Sequence, residues 1–174
     1  MQKPPIIIVV DTREQLPSAR VSESAYEFKG YQTIRQKLDA GDYSVQGYEV
    51  DGISIERKTL DDYVGSIILN RERFLREMEL ARRYEFFAVV VECSMLDIVK
   101  NVYRSLAHPN AVVGATAALM LDYHIPVIFC CNRKVGEMFT LRLLTKFYER
   151  KVKAAAAWPV VDMGVMDEIT RRTK

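Results

Sequence analysis

Gly41-Asp42-Tyr43-Ser44-Val45-Gln46 and, a few residues on, Ile53-Ser54-Ile55-Glu56-Arg57-Lys58 decide how this chain folds. Within them 42–46 and 53–58 read as two strands, and Gly47 and Asp51-Gly52 punctuate the turn region between them. Thirteen residues separate Asp42 from Glu56, a spacing that suits two neighbouring strands joined by a hairpin. Strand side chains alternate between faces, so Glu56 and Lys58 face the same way and Arg57 the other way. An acid, a gap, and then an acid two residues before a lysine suits a site in which carboxylates hold a hard divalent cation. The lysine then stands at the water that attacks phosphorus.

Working outward, 6–10 is a continuous β-branched run that reads as a buried strand, with Asp11-Thr12-Arg13-Glu14 at its end. Residues 33–38 alternate and fit a further strand. Thr59 caps the next helix, with Asp61 and Asp62 in its first turn. Asn70 caps a helix over 71–84 whose apolar stripe is Phe74, Leu75, Met78 and Ala81. Residues 86–92 form another buried strand, and Ser94 with Asp97 starts a short helix. Pro109 opens a helix over 110–123, and 125–131 is a strand. The pattern predicts a long helix over 134–153 carrying Met138, Leu141, Leu144, Thr145 and Tyr148 on one face. The organisation is α/β, with an early antiparallel hairpin and a later alternation of strands and helices. Residues 1–153 read as one domain, and 154–174 as a tail, flexible or partner-docking, that contains Trp158.

Composition bounds the reading further. Of 174 residues 49% are hydrophobic and 28% charged, ordinary for a globular domain, and the net charge of +2 neither demands nor excludes a nucleic-acid partner. No apolar run approaches ~18 residues, so no membrane span is expected, and the N-terminus lacks a secretory signal. An intracellular protein, cytoplasmic or nucleoid-associated and not secreted, is the expectation. Cys93, Cys130 and Cys131 read as buried reduced thiols, with neither disulfide nor zinc spacing. His108 and His124 read as structural residues at helix ends.

The acids Asp11, Glu14, Asp42, Glu56 and Asp62 all fall at strand ends or strand–helix junctions, where α/β sheets gather functional groups. Each alone reads equally as a turn cap or a partner of a surface base, and Lys58 alone as a solvated strand-end lysine. Together they form an all-oxygen donor set suited to Mg²⁺ or Mn²⁺. The carbonyl of Arg57 remains available to such a metal, while its side chain is structural or meets a neighbouring acid. Arg13 either clamps a phosphate or pairs with Asp11 or Glu14. Arg71, Arg104 and Lys134 are further candidates for DNA contact. Seven bases against two acids from Arg133 to Lys153 fit either a DNA-tracking face or a solubilising one.

In combination, Asp11-Thr12-Arg13-Glu14, Gly41-Asp42-Tyr43 and Ile55-Glu56-Arg57-Lys58 with Asp62 four residues on resemble the XPF-type nuclease domain. That family is marked by V-D-x-R-E and G-D…E-R-K-x-x-x-D motifs, and the resemblance spans about residues 6–150. It implies a restriction-endonuclease-like core, a central mixed β-sheet flanked by helices. It also implies a Mg²⁺- or Mn²⁺-dependent endonuclease acting on branched, forked or flap DNA in repair or recombination. Asp42 and Glu56 take the place of metal ligands and Lys58 that of the catalytic lysine. Asp11, Arg13 and Glu14 support the site, with Glu14 and Asp11 completing the metal cluster, and Asp62 is a motif member. Members commonly pair, so a homodimer is expected, with the apolar helix 111–121 as core or interface. Members often carry a helix-hairpin-helix domain after the nuclease or a helicase before it. This chain reads as the standalone form, to which an accessory protein supplies recognition of DNA structure. A sequence-specific restriction-type nuclease and a non-catalytic DNA-binding or partner subunit on the same core remain the alternatives.

Overall fold

The hairpin forms the middle of a six-stranded sheet in the computed structural model, which describes residues 5–14 and 24–157. In chain order the strands are β1 (Ile7–Val10), β2 (Gln32–Arg35), β3 (Tyr43–Val45), β4 (Ile53–Lys58), β5 (Phe86–Val91) and β6 (Val127–Phe129). They lie side by side as β2-β1-β3-β4-β5-β6. β3 runs antiparallel to both β1 and β4, whereas β1–β2, β4–β5 and β5–β6 are parallel, so the sheet is mixed. Because β3 opposes β4, the start of β3 and the end of β4 share one end of the sheet, and Asp42 and Glu56 meet there.

Helices cover both faces. On one lie α1 (Leu60–Val64), a π-helical turn (Gly65–Leu69), α2 (Arg71–Ala81), α3 (Met95–Val99) and α4 (Pro109–Tyr123). They bury Tyr63, Ile67, Phe74, Met78 and Leu119 against Val89 and Val91. On the other lies α5 (Arg133–Ala157), where Leu144 and Phe147 join Tyr26, Phe28, Tyr43, Ile55 and Val90. Val89 and Val90 therefore sit in different cores, as alternation requires, and the unbroken apolar run of β5 is explained by burial on both sides.

Several expectations shift. The stripe predicted on α5 holds in part: Leu144 is buried and Leu141 and Tyr148 pack against the core, but Gly136, Thr140 and Phe147 are buried as well, while Met138 is 60% exposed. A Cβ at Gly136 would stand 2.5 Å from the Tyr26 hydroxyl, so this glycine seats the helix and sets its rotation. Ala154 to Ala157 continue α5 instead of opening a tail, as alanine's helix preference favours. Of the expected tail, 158–174, with Trp158, lies outside the described residues. Asn70 takes the cap position of α2 without a side-chain hydrogen bond, because the chain enters this helix through the π-helical turn. The strand expected over 33–38 ends at Arg35, since the Leu38 N–H is drawn to Asp11 Oδ2 at 2.6 Å. Cys93 and Cys130 are buried, but Cys131 is exposed, in a turn with φ 60°. Among the described residues no helix is long and apolar enough to cross a membrane.

Candidate active site

Asp42 is placed by backbone on both sides. Its N–H donates to Ile55 O and its carbonyl accepts from Asp11 N–H, each at 2.8 Å. The preceding Gly41 has φ +81°, and a Cβ there would collide with Ser54 Oγ, which donates to Ala40 O at 2.7 Å. Only glycine satisfies both demands. The Arg57 N–H donates to Asp42 Oδ2 at 2.7 Å. Alternation along β4 turns the Arg57 carbonyl toward the β3 side as well, where Asp42 stands.

Glu56 and Lys58 project together from β4, with Nζ to Oε1 at 2.7 Å and both side chains 14% exposed. Lys58 Nζ lies 5.4 Å from the centroid of the Phe74 ring on α2. Burial pushes Asp42 up first, then the charges of Glu56 and Glu14, so its carboxyl stands well above the usual carboxylate range. Burial alone would lower Lys58, but the Glu56 carboxylate outweighs it, helped by Asp42 and Glu77, and the ammonium is held above its ordinary value. Lys58 and the Arg57 N–H offset part of the negative charge around Asp42 but do not overcome it, and the arrangement is rich in hard oxygen donors. That donor set fits a divalent cation such as Mg²⁺, which binds through one or two carboxylates and retains waters.

Of the carboxylates expected at a metal, Asp42, Glu56 and Glu14 line one cleft, while Asp11 and Glu14 also have protein partners of their own. Among the described residues no three His, Cys, Asp or Glu side chains take up metal-holding geometry. Asp11 is fully buried. Its Oδ1 accepts from Arg13 N and Nε, each at 2.7 Å, and its Oδ2 from Leu38 N at 2.6 Å. Burial raises the Asp11 carboxyl, but these donors win and hold it below its ordinary value. Asp11 thus organises the 11–14 turn, which Arg35 also grips through the carbonyls of Asp11, Thr12 and Glu14. Glu14 approaches from the other face of β4, where it accepts from Tyr43 Oη at 2.9 Å and from Arg57 Nη1 at 3.3 Å. It adds negative potential to Asp42 and lines the same cleft as Asp42 and Glu56.

Arg57, 6% exposed, is the link between the two sides. Its Nε donates to Glu92 Oε1 at 2.8 Å, and Arg133 Nη1 lies 3.5 Å from the same oxygen. Both guanidiniums stand over the Tyr26 ring, 5.4 and 5.0 Å from its centroid. Burial would lower Arg57, but its hydrogen bond and charge pairing with Glu92 raise it. Glu92, Arg133 and Tyr26 went unrecognised in sequence. Glu92 had a legible signal, a lone charge closing the otherwise apolar β5, whereas Arg133 was one base among seven.

Arg13, Glu14, Asp42, Glu56, Arg57, Lys58, Thr59, Asp61, Asp62 and Arg104 line one cleft of about 680 Å³. Arg13 is tied to Asp11 yet keeps its side chain 59% exposed. Asp62 lines the cleft and also closes the α1 cap, accepting from Thr59 Oγ1 at 2.6 Å. Arg71 belongs to a separate surface hollow, and Lys134 does not reach the cleft. Arg133 turns into the Glu92 network, while Lys146 pairs with Glu149 and Lys151 with Glu85. Three of the seven bases of α5 are thus paired within the fold, and Lys134, Arg142, Arg150 and Lys153 are exposed.

Comparison with known proteins follows the same lines. The ERCC4 domain matches residues 10–139. A protein of Methanocaldococcus jannaschii named as an ATP-dependent RNA helicase is 33% identical over 150 residues. That alignment covers 86% of this chain and 16% of the relative, so the chain spans about a sixth of the relative's length. XPF from Aeropyrum pernix superposes with a TM-score of 0.61 at 28% identity, over 89% of this chain and 65% of that one. The same archaeal XPF in complex with DNA gives 0.58 at 28% identity, over 86% and 66%. This chain thus spans just under two thirds of those structures.

Proposed function

From the premise that this chain belongs to the ERCC4-domain family, we propose that it is a metal-dependent DNA endonuclease of branched, forked or flap substrates. The observation that carries the proposal is the convergence of Asp42, Glu56 and Lys58 at one end of the hairpin, within an open polar cleft. Asp42, Glu56 and the Arg57 carbonyl are the groups to hold Mg²⁺ or Mn²⁺. Such a cation, when bound, acidifies water and neutralises charge on a phosphate. Lys58, kept cationic by Glu56, orients water and places a positive charge at the scissile phosphate. Asp11 and Glu14 act as positioning residues, Asp11 through the 11–14 turn and Glu14 through Arg57. Arg13 and Arg104, at the rim, are the cleft's phosphate contacts. A DNA partner accords with the nucleic-acid complex of the Aeropyrum pernix structure.

The test is cleavage of end-labelled flap, fork and linear duplex DNA in Mg²⁺, Mn²⁺ or EDTA, with Asp42→Ala and Lys58→Ala alongside. Cutting near the branch that needs the metal and is lost in both variants is expected. Cutting that persists in EDTA, or survives both substitutions, refutes the proposal. Cleavage of plain duplex at one fixed sequence would instead identify a restriction-type nuclease. Binding without cleavage in any metal would identify a non-catalytic subunit.

A further inference from the structure

We infer that the loop between α3 and α4 is a junction reader, with Leu106 as a wedge against an exposed base face at the DNA branch and Arg104 as its phosphate anchor. This inference rests on the proposed DNA substrate and names the element that would recognise its branch. Leu106 is 103% exposed, more than any other large apolar residue described, and it lies two residues from Arg104 of the cleft wall. Two such Cα atoms are at most about 7 Å apart, so the backbone of Leu106 is adjacent to a residue of the cleft wall, although Leu106 itself is not part of the lining.

The loop is built to hold this tip in place. Tyr103 is 8% exposed, and its hydroxyl donates to Ala107 O at 2.8 Å, closing the loop at its base. The Ala107 N–H donates to Ser105 Oγ at 3.1 Å. From α1, Asp61 accepts from the Arg104 N–H at 2.9 Å and pairs with its Nε at 3.4 Å, while the Arg104 side chain remains 95% exposed. Asp61 is three residues beyond Lys58, so the latch fastens the loop to the segment that carries the candidate catalytic lysine. A pinned, fully exposed leucine beside a solvated arginine offers what a branch point supplies: a phosphate for the cation and an unstacked base face for the apolar tip. Continuous duplex supplies the phosphate, but its base faces are reached only by unstacking a step, which costs free energy that a branch has already spent. Asp61 also tempers Arg104 by occupying it until a phosphate competes.

Affinities for a fork and for a linear duplex of equal length, measured by fluorescence anisotropy with Ca²⁺ in place of Mg²⁺, test the inference. Leu106→Ser is expected to cut the fork-over-duplex preference by about tenfold, the factor for losing contact of half an aliphatic side chain. Leu106→Phe should restore the preference. Leu96→Ser, at an exposed leucine on α3 outside the cleft, should leave it at the wild-type value. Thermal melting confirms that each variant is folded. A folded Leu106→Ser protein with wild-type preference overturns the junction reader alone. A wild-type protein with no preference for forks overturns it together with the proposed substrate. Fork preference that depends on Leu106 in a protein that cuts nothing leaves the junction reader standing and refutes the nuclease assignment.

Discussion

Glu92→Gln is the sharpest test of how the site is held. The substitution keeps the shape and an acceptor oxygen but removes the one negative charge that faces both Arg57 and Arg133. Glu92 and Arg57 are each 6% exposed and Arg133 21%. At an effective dielectric of 20, each close pairing is worth about 4 kcal/mol. Removing the charge also relieves several kcal/mol of Glu92 desolvation, and Glu14, 3.3 Å from Arg57 Nη1, still serves one cation. A net loss of about 3 kcal/mol follows, at the lower end for breaking a buried pair. In a domain of this size that lowers Tm by about 6–12 °C. Arg133→Met should cost less, because Glu92 then keeps Arg57. Urea denaturation and calorimetry measure both variants. The functional reading is a fall in kcat larger than the rise in KM, since the Arg57 N–H that holds Asp42 shifts with its side chain. A Glu92→Gln protein within about 0.5 kcal/mol of wild type, a difference typical of surface substitutions, would show that the network does not hold Arg57.

Three further outcomes are expected. Gly41→Ala forces a Cβ into Ser54 Oγ at φ +81° and should cost about 2 kcal/mol or more, with cleavage lost by misplacement of Asp42; a fully active, equally stable variant would contradict this. Asp42→Asn relieves the crowding of negative charge that raises its carboxyl, so its Tm in EDTA should equal or exceed that of wild type. Mg²⁺ at ten times its dissociation constant should stabilise wild type by about 1.4 kcal/mol and Asp42→Asn hardly at all, as calorimetry can establish. Leu121 is 73% exposed on the apolar helix α4, which we propose as the pairing face of a homodimer; Leu121→Glu should halve the mass seen by light scattering without lowering Tm, and an unchanged mass refutes that face.

What the sequence made legible were features with a short-range cause. The alternation of Ile53 to Lys58 placed Glu56 with Lys58 and sent Arg57 to the other face, and the Thr59 and Ser94 caps follow from local hydrogen bonds. What it hid were features settled by distant packing. The rotation of α5 depends on Gly136 meeting Tyr26, 110 residues earlier (136 − 26), and no helical period reports that contact. The acids of the 11–14 turn looked equivalent as a string, yet Asp11 became a buried acceptor because Leu38 and Arg13 bring N–H donors to it, and Glu14 became a partner of Arg57. A motif records which residue types stand near one another in the chain, whereas ligand sets depend on which oxygens still lack donors once the backbone has been satisfied. At this site that accounting leaves Asp42 crowded by negative charge and Glu56 held by a lysine. A cation admitted by the cleft would relieve the negative charge around Asp42, and the proposed metal-dependent activity rests on that electrostatic demand together with the oxygen donors that surround it.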